Sequence, residues 1–128
     1  MPIKYTINND GTFIHALVTG SPTDKDLLDY GDALENDSRI RKPGFVELFD
    51  ASRIDDTDVS IDALHLLAEK LRANPDKLAA VKLAIVIRPS LLSQKAAYYK
   101  KLVSDIENTI VFYDVSTAKT WLGVSEKE

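Results

Sequence analysis

The sequence predicts an α/β fold: a mixed five-stranded sheet that opens with an antiparallel hairpin and continues through right-handed βα crossovers, its helices on one face. Three observations predict it. Two alternating β-rich runs, 3–7 and 12–19, are joined by Asn8-Asn9-Asp10-Gly11, residue types that tolerate the positive φ of a tight turn. The stretch 45–71 passes from an alternating strand through an acidic loop into an amphipathic helix, which is half of a βαβ unit. Residues 81–88, VKLAIVIR, are the most apolar run, as an interior strand requires.

Each element has its own signals. In the hairpin, Ile3, Tyr5 and Ile7 share a face, as do Ile14, Ala16 and Val18, while Lys4, Thr6 and His15 lie on the other with Phe13 and Leu17. Gly20 releases the chain into a helix for which Ser21 suits the N-cap, Pro22 the first helical position and Asp24 the first turn. That helix carries Leu27, Leu28 and Leu34 and fades at 36–38; Lys42-Pro43-Gly44 is a stop before the central strand. In the strand, Val46, Leu48 and Ala51 suit a core, and Glu47 and Asp50 interrupt it.

The second helix places Ile61, Leu64, Leu67 or Ala68, and Leu71 along one side and ends at Asn74-Pro75-Asp76. A third carries Leu91 or Leu92, Ala96, Tyr99, Leu102 or Val103, and Ile106 at helical spacing. The last strand is predicted at 111–115, with Ser116 capping a terminal helix whose Trp121 and Leu122 seal an edge. Crossovers of one hand that always step to the next strand put every helix on the same side. The alternation in the first three strands agrees, because a doubly covered parallel strand reads as continuously apolar.

Composition excludes several classes of function. At 128 residues the chain fits a single domain, 1–128, able to bury a sizeable core. With 45% hydrophobic and 28% charged residues it reads as globular rather than disordered. A net charge of −4, with no basic cluster, disfavours nucleic acid and anionic membrane as partners. No cysteine is present, so disulfides and thiolate metal or redox sites are excluded. The first residues lack an apolar signal core, and no run approaches the roughly 18 apolar residues of a membrane span. A cytoplasmic protein without a cofactor is expected.

The loop and helix start after the central strand hold Asp55, Asp56, Asp58 and Asp62. As a calcium loop they fail: the sixth position from Asp56 is Ile61 rather than glycine, and the twelfth is Leu67 rather than glutamate. Helix capping and dipole compensation account for such aspartates without a metal. Ser60, with Thr57 nearby, reads as an N-cap or as a phosphoacceptor; free helix amides favour a phosphate there, and the surrounding carboxylates oppose it. His15 and His65 stand in no spacing that favours a nucleophile–base pair, and no serine occupies a G-x-S-x-G elbow, so no enzyme activity is expected.

Phe13, Phe45, Phe49 and Phe112 fall on the strand parity of His15, Glu47 and Asp114, the uncovered side of a sheet with helices on one face. Either a long loop covers these rings or they form a surface for a partner or ligand. A two-fold contact through Phe13, His15, Phe45, Glu47 and Phe49 would make a homodimer, with Glu47 near its rim or paired to Lys82 or His15.

The opening hairpin, FVELFDASRID, VKLAIVIRP and the closing VFYDVSTAKTWL together resemble the SpoIIAA-like fold shared by STAS domains and lipid-carrying Sec14 (CRAL-TRIO) domains, and are most similar to small stand-alone bacterial STAS/Sec14-like proteins. The resemblance implies a mixed five-stranded sheet and a non-enzymatic regulatory domain that binds a protein partner through the loop of Asp55, Asp56, Thr57, Asp58 and Ser60. Anti-sigma-factor antagonists carry Asp-Ser-Ser/Thr-Gly at this helix start, with a phosphorylated serine. Here Asp58-Val59-Ser60-Ile61 lacks the second hydroxyl and the glycine. The alternative implied by the same resemblance is a carrier or sensor of a small apolar ligand or lipid, which an internal cavity would distinguish from a solidly packed binding module.

Overall fold

Asn9 and Asp10, with φ of 54° and 56°, and Gly11 at 89° reverse the chain in a single 3-10 turn. Glycine is required at position 11, where a Cβ would stand 2.3 Å from the Arg39 carbonyl oxygen. The flanking runs pair antiparallel as β1 (Ile3–Asn8) and β2 (Phe13–Gly20). The computed structural model describes residues 2–55, 59–89 and 93–124. Within them β3 (Val46–Ile54), β4 (Lys82–Val86) and β5 (Asn108–Phe112) add in parallel, so that the sheet runs β1-β2-β3-β4-β5. The mixed α/β sheet expected from the sequence is present, strand for strand.

The helices are α1 (Asp24–Asn36), α2 (Ile61–Ala73), the single turn α3 (Pro75–Leu78), α4 (Ser93–Leu102) and α5 (Val115–Leu122). Two caps differ from expectation. Thr23 rather than Ser21 begins α1, because Asp26 stands three residues on and closes a reciprocal capping box with it. Asp114 rather than Ser116 begins α5, accepting the Thr117 amide at 2.8 Å. The last strand correspondingly lies at 108–112, its register fixed by Leu83↔Thr109 and Ile85↔Val111.

The expectation that every helix shares one face holds for α1, α2 and α4, and α5 corrects it. The larger core joins Ile14, Ala16, Val18, Leu83, Ile85 and Ile87 of the sheet to Leu27, Leu34, Leu64, Leu67 and Tyr99 of the first helical layer. On the opposite face Phe13, Leu48, Ala84 and Val86 pack against Ala118 and Leu122 of α5. The continuous apolar run of β4 is therefore the signature of a strand covered on both sides. A bulge in β3, where the pairing steps from Leu17↔Asp50 to Thr19↔Arg53, inserts one residue. It moves the core-facing series from Glu47, Phe49 and Ala51 to Ile54. Among the described residues no helix is long and apolar enough to cross a membrane.

Candidate functional site

Between the sheet and the layer of α1, α2 and α4 the side chains do not close completely. A cavity of about 130 Å3 remains. Its floor follows the period of two along the strands: Glu47, Phe49 and Ala51 from β3, and Leu83 and Ile85 from β4 with Ile87 just beyond it. Its roof follows the helical period, with Leu27, Tyr30, Gly31 and Leu34 from α1, Leu64, Leu67 and Leu71 from α2, and Ala96 and Tyr99 from α4. Gly31 sets the approach of the two helices, since a Cβ there would come 2.8 Å from Leu67 Cδ1. Pro22, Val59 and Lys95 line the end of the cavity near the C-terminal ends of the strands. There Lys95 Nζ donates to the Val59 carbonyl at 2.5 Å.

At the other end are two carboxyl groups. Glu47 is 7% exposed and accepts the Tyr30 hydroxyl at 2.7 Å. Glu107, 5% exposed, accepts the Ala80 amide on Oε2 at 2.7 Å, while its Oε1 is buried with no hydrogen-bond partner among the described residues. Burial pushes the Glu47 carboxyl up to about 7 against the opposing Tyr30 hydrogen bond. Burial, then the charge of Glu47, pushes Glu107 up to about 8, with the Ala80 amide opposing. Burial likewise raises Tyr30 and Tyr99 well above the ordinary phenol value, and each also feels both carboxyls. Among the described residues no ion pair involves either glutamate. The arrangement is an apolar cavity whose acidic end holds protons near neutrality.

The residues singled out from the sequence separate into three places. Ser60 is the N-cap of α2: its Oγ accepts the Ala63 amide at 3.1 Å and donates to Asp24 Oδ2 at 2.8 Å, and its own amide donates to Asp24 Oδ1 at 2.7 Å. The Ser60 amide, then its hydroxyl, hold the Asp24 carboxyl below its usual range. Asp55 is exposed, and Asp56, Thr57 and Asp58 lie outside the described residues.

The five residues of the expected dimer face do not share one surface. Phe45, Glu47 and Phe49 point into the α1–α2–α4 side, whereas Phe13 lies under α5 with His15 beside it, ring centroids 6.0 Å apart. Phe13, Phe45 and Glu47 are buried, and Phe49 packs 5.5 Å from the Tyr30 ring. Phe49 and Glu47 face the helices rather than solvent, because the polar residues of β3 do not mark its solvent side. Nor does Glu47 pair with Lys82 or His15. Lys82 donates to the Trp121 carbonyl at 2.9 Å and lies over the Trp121 ring. Burial, then Lys119, lowers the His15 pKa, with Asp50 opposing.

Sequence reasoning missed Tyr30 and Glu107. Tyr30 sits three residues after Leu27 and four before Leu34, on the core side of α1. Glu107 shares the parity of Thr109 at the start of β5, a signal hidden when that strand is set three residues late.

No protein-family model matches the chain, and no curated protein matches it in sequence. Among solved structures, an uncharacterized protein of the DUF3478 family with a SpoIIAA-like fold, from Shewanella loihica PV-4, superposes with a TM-score of 0.62 at 21% identity, covering 94% of this chain and 91% of the other. The fold is SpoIIAA-like.

Proposed function

We propose that the protein is a non-enzymatic, cytoplasmic binding protein that carries or senses a small apolar molecule in the cavity beneath α1, α2 and α4. One observation carries this reading: the cavity of about 130 Å3 between the sheet and the helical layer, lined mainly by leucine, isoleucine, alanine and phenylalanine with the two glutamates and Lys95 as its charged groups. Close packing is the norm in protein interiors, and an apolar void weakens the fold unless something fills it. An apolar cavity of roughly 150 Å3 holds benzene, whereas sites for drug-sized ligands begin near roughly 300 Å3. The size therefore favours a ligand of about one ring over a whole lipid of the Sec14 kind.

The protein-binding reading draws less support. Its aromatic face is divided between two buried layers, and the hydroxyl of Ser60 is engaged as both donor and acceptor. Titrating isotope-labelled protein with toluene tests the ligand reading. Saturable amide shifts centred on Phe49, Leu67 and Ala96 are expected, and their loss in Ala96→Leu, which fills the void. A titration that reaches the solubility of toluene with no saturable shift at these residues would overturn it.

A further inference from the structure

The geometry points to an apolar amine, bound as its ammonium ion, as the ligand class of this cavity, with Glu107 and Glu47 as the groups that receive it. This rests on the cavity reading above and adds the polar end of the ligand. Glu107 Oε1 is the observation that carries it: a buried carboxyl oxygen of a residue that lines the cavity, with no hydrogen-bond partner among the described residues. An acceptor left unpaired in an apolar interior is unfavourable, and each such group in a natural protein asks for an explanation, a bound donor among them. Glu47 stands in the same lining and retains acceptor capacity, having taken the Tyr30 hydrogen on Oε2. Two residues after Glu107, outside this lining, the Thr109 hydroxyl oxygen is also buried without a partner among the described residues.

The charge balance selects the amine over other donors. No side-chain cation pairs with either glutamate among the described residues, and Lys95 lies at the opposite end of the cavity, held by the Val59 carbonyl. Tyr30 and Tyr99 add phenols that stay neutral, and Arg72 of α2, whose charge reaches Tyr99, is directed to Asp105. An ammonium ion would bring three N–H donors and the missing positive charge to two acceptors. A hydroxyl gains one neutral hydrogen bond there, and a carboxylate adds a third acidic group without the missing positive charge. Because burial holds protons on the glutamates near neutrality, the entering ammonium displaces a carboxyl proton to the solvent. The ligand keeps its own protons, and the complex contains an ammonium–carboxylate pair.

Calorimetric titration of the whole chain at pH 7 with benzylamine, benzyl alcohol, benzoate and toluene tests this. Benzylamine is expected to bind at least about tenfold more tightly than toluene or benzyl alcohol, the margin of a charge-assisted hydrogen bond, and benzoate not at all. Its binding should release protons, seen as an apparent enthalpy that varies with the ionisation enthalpy of the buffer. Glu107→Gln should remove the benzylamine advantage and the proton release. Should that variant fail to fold, proton release by the unaltered protein decides alone. Toluene binding as well as or better than benzylamine, or benzylamine binding without proton release or without sensitivity to Glu107→Gln, would overturn the amine and leave the cavity reading standing. Failure of every probe would overturn both.

Discussion

Tyr30, in the middle of α1, donates its hydroxyl to Glu47 on the central strand across 2.7 Å, with both groups buried. The bond ties the helical layer to the sheet at the wall of the cavity. It also gives the Glu47 carboxylate a donor in a medium that otherwise disfavours its charge. Tyr30→Phe should therefore destabilise the protein by about 1.5–3 kcal/mol at pH 8, where the bond is to a charged acceptor, and by about 1 kcal/mol at pH 5. Urea unfolding at the two pH values measures the difference. An equal loss at both would mean that the bond does not depend on the charge of Glu47.

The raised carboxyls fix the sign of the pH dependence. Glu47 and Glu107 bind protons more tightly folded than unfolded, so their contribution is fully present below the ordinary carboxylate range and is lost as pH rises through about 7 and about 8. The ligand-free protein should lose stability between pH 5 and pH 8. Glu107→Gln, which cannot ionise, should flatten that slope and exceed the unaltered protein at pH 8 by about 1 kcal/mol or more, the value of one unit of displacement. Thermal melting across the range checks it. A rising slope would contradict the assignment.

At the start of α2, Ser60→Ala should cost about 1 kcal/mol through loss of the cap on Ala63. Ser60→Asp should melt lower still, because the new carboxylate meets Asp24, which now accepts the Ser60 hydroxyl. If the aspartate variant melts above the alanine one, the neighbourhood accepts negative charge and the phosphoacceptor reading gains ground.

Gly31→Ala probes the roof. Alanine favours a mid-helix position by up to about 1 kcal/mol, but its Cβ would displace Leu67 Cδ1, which stands 2.8 Å away. The space available to Leu67 is the cavity that both residues line. The variant should remain folded, with a melting temperature near the original and clearly weaker toluene binding. Unaltered toluene affinity would place the ligand away from this wall.

Much of this structure was legible in the chain. The hairpin, its Asn-Asp-Gly reversal, the sequential sheet and the core side of α2 from Leu64 to Leu71 follow from local turn chemistry and from periods of 2 and 3.6, which any segment expresses by itself, whereas Ile61, expected on that side, is exposed. Ser60 as a cap was legible for the same reason, since the bond to Ala63 spans only three residues. The caps at Thr23 and Asp114 and the start of β5 were misread because several neighbouring hydroxyls and carboxylates offer the same local bond. Pairing with the rest of the fold chooses among them.

What the tertiary structure alone decided is which face of the sheet each side chain meets. Alternation places Glu47 and Phe49 together, but not whether they look to water or to helices. The packing of α5 under Phe13, Leu48 and Val86 determines that, and it divides the phenylalanines that strand parity gathers. Glu107 and Glu47 stand 60 positions apart in the chain, and no local pattern links them. Their shared burial arises only when β3 and the start of β5 close on the same cavity. There the low dielectric, rather than the identity of either residue, turns two ordinary glutamates into proton-holding acids.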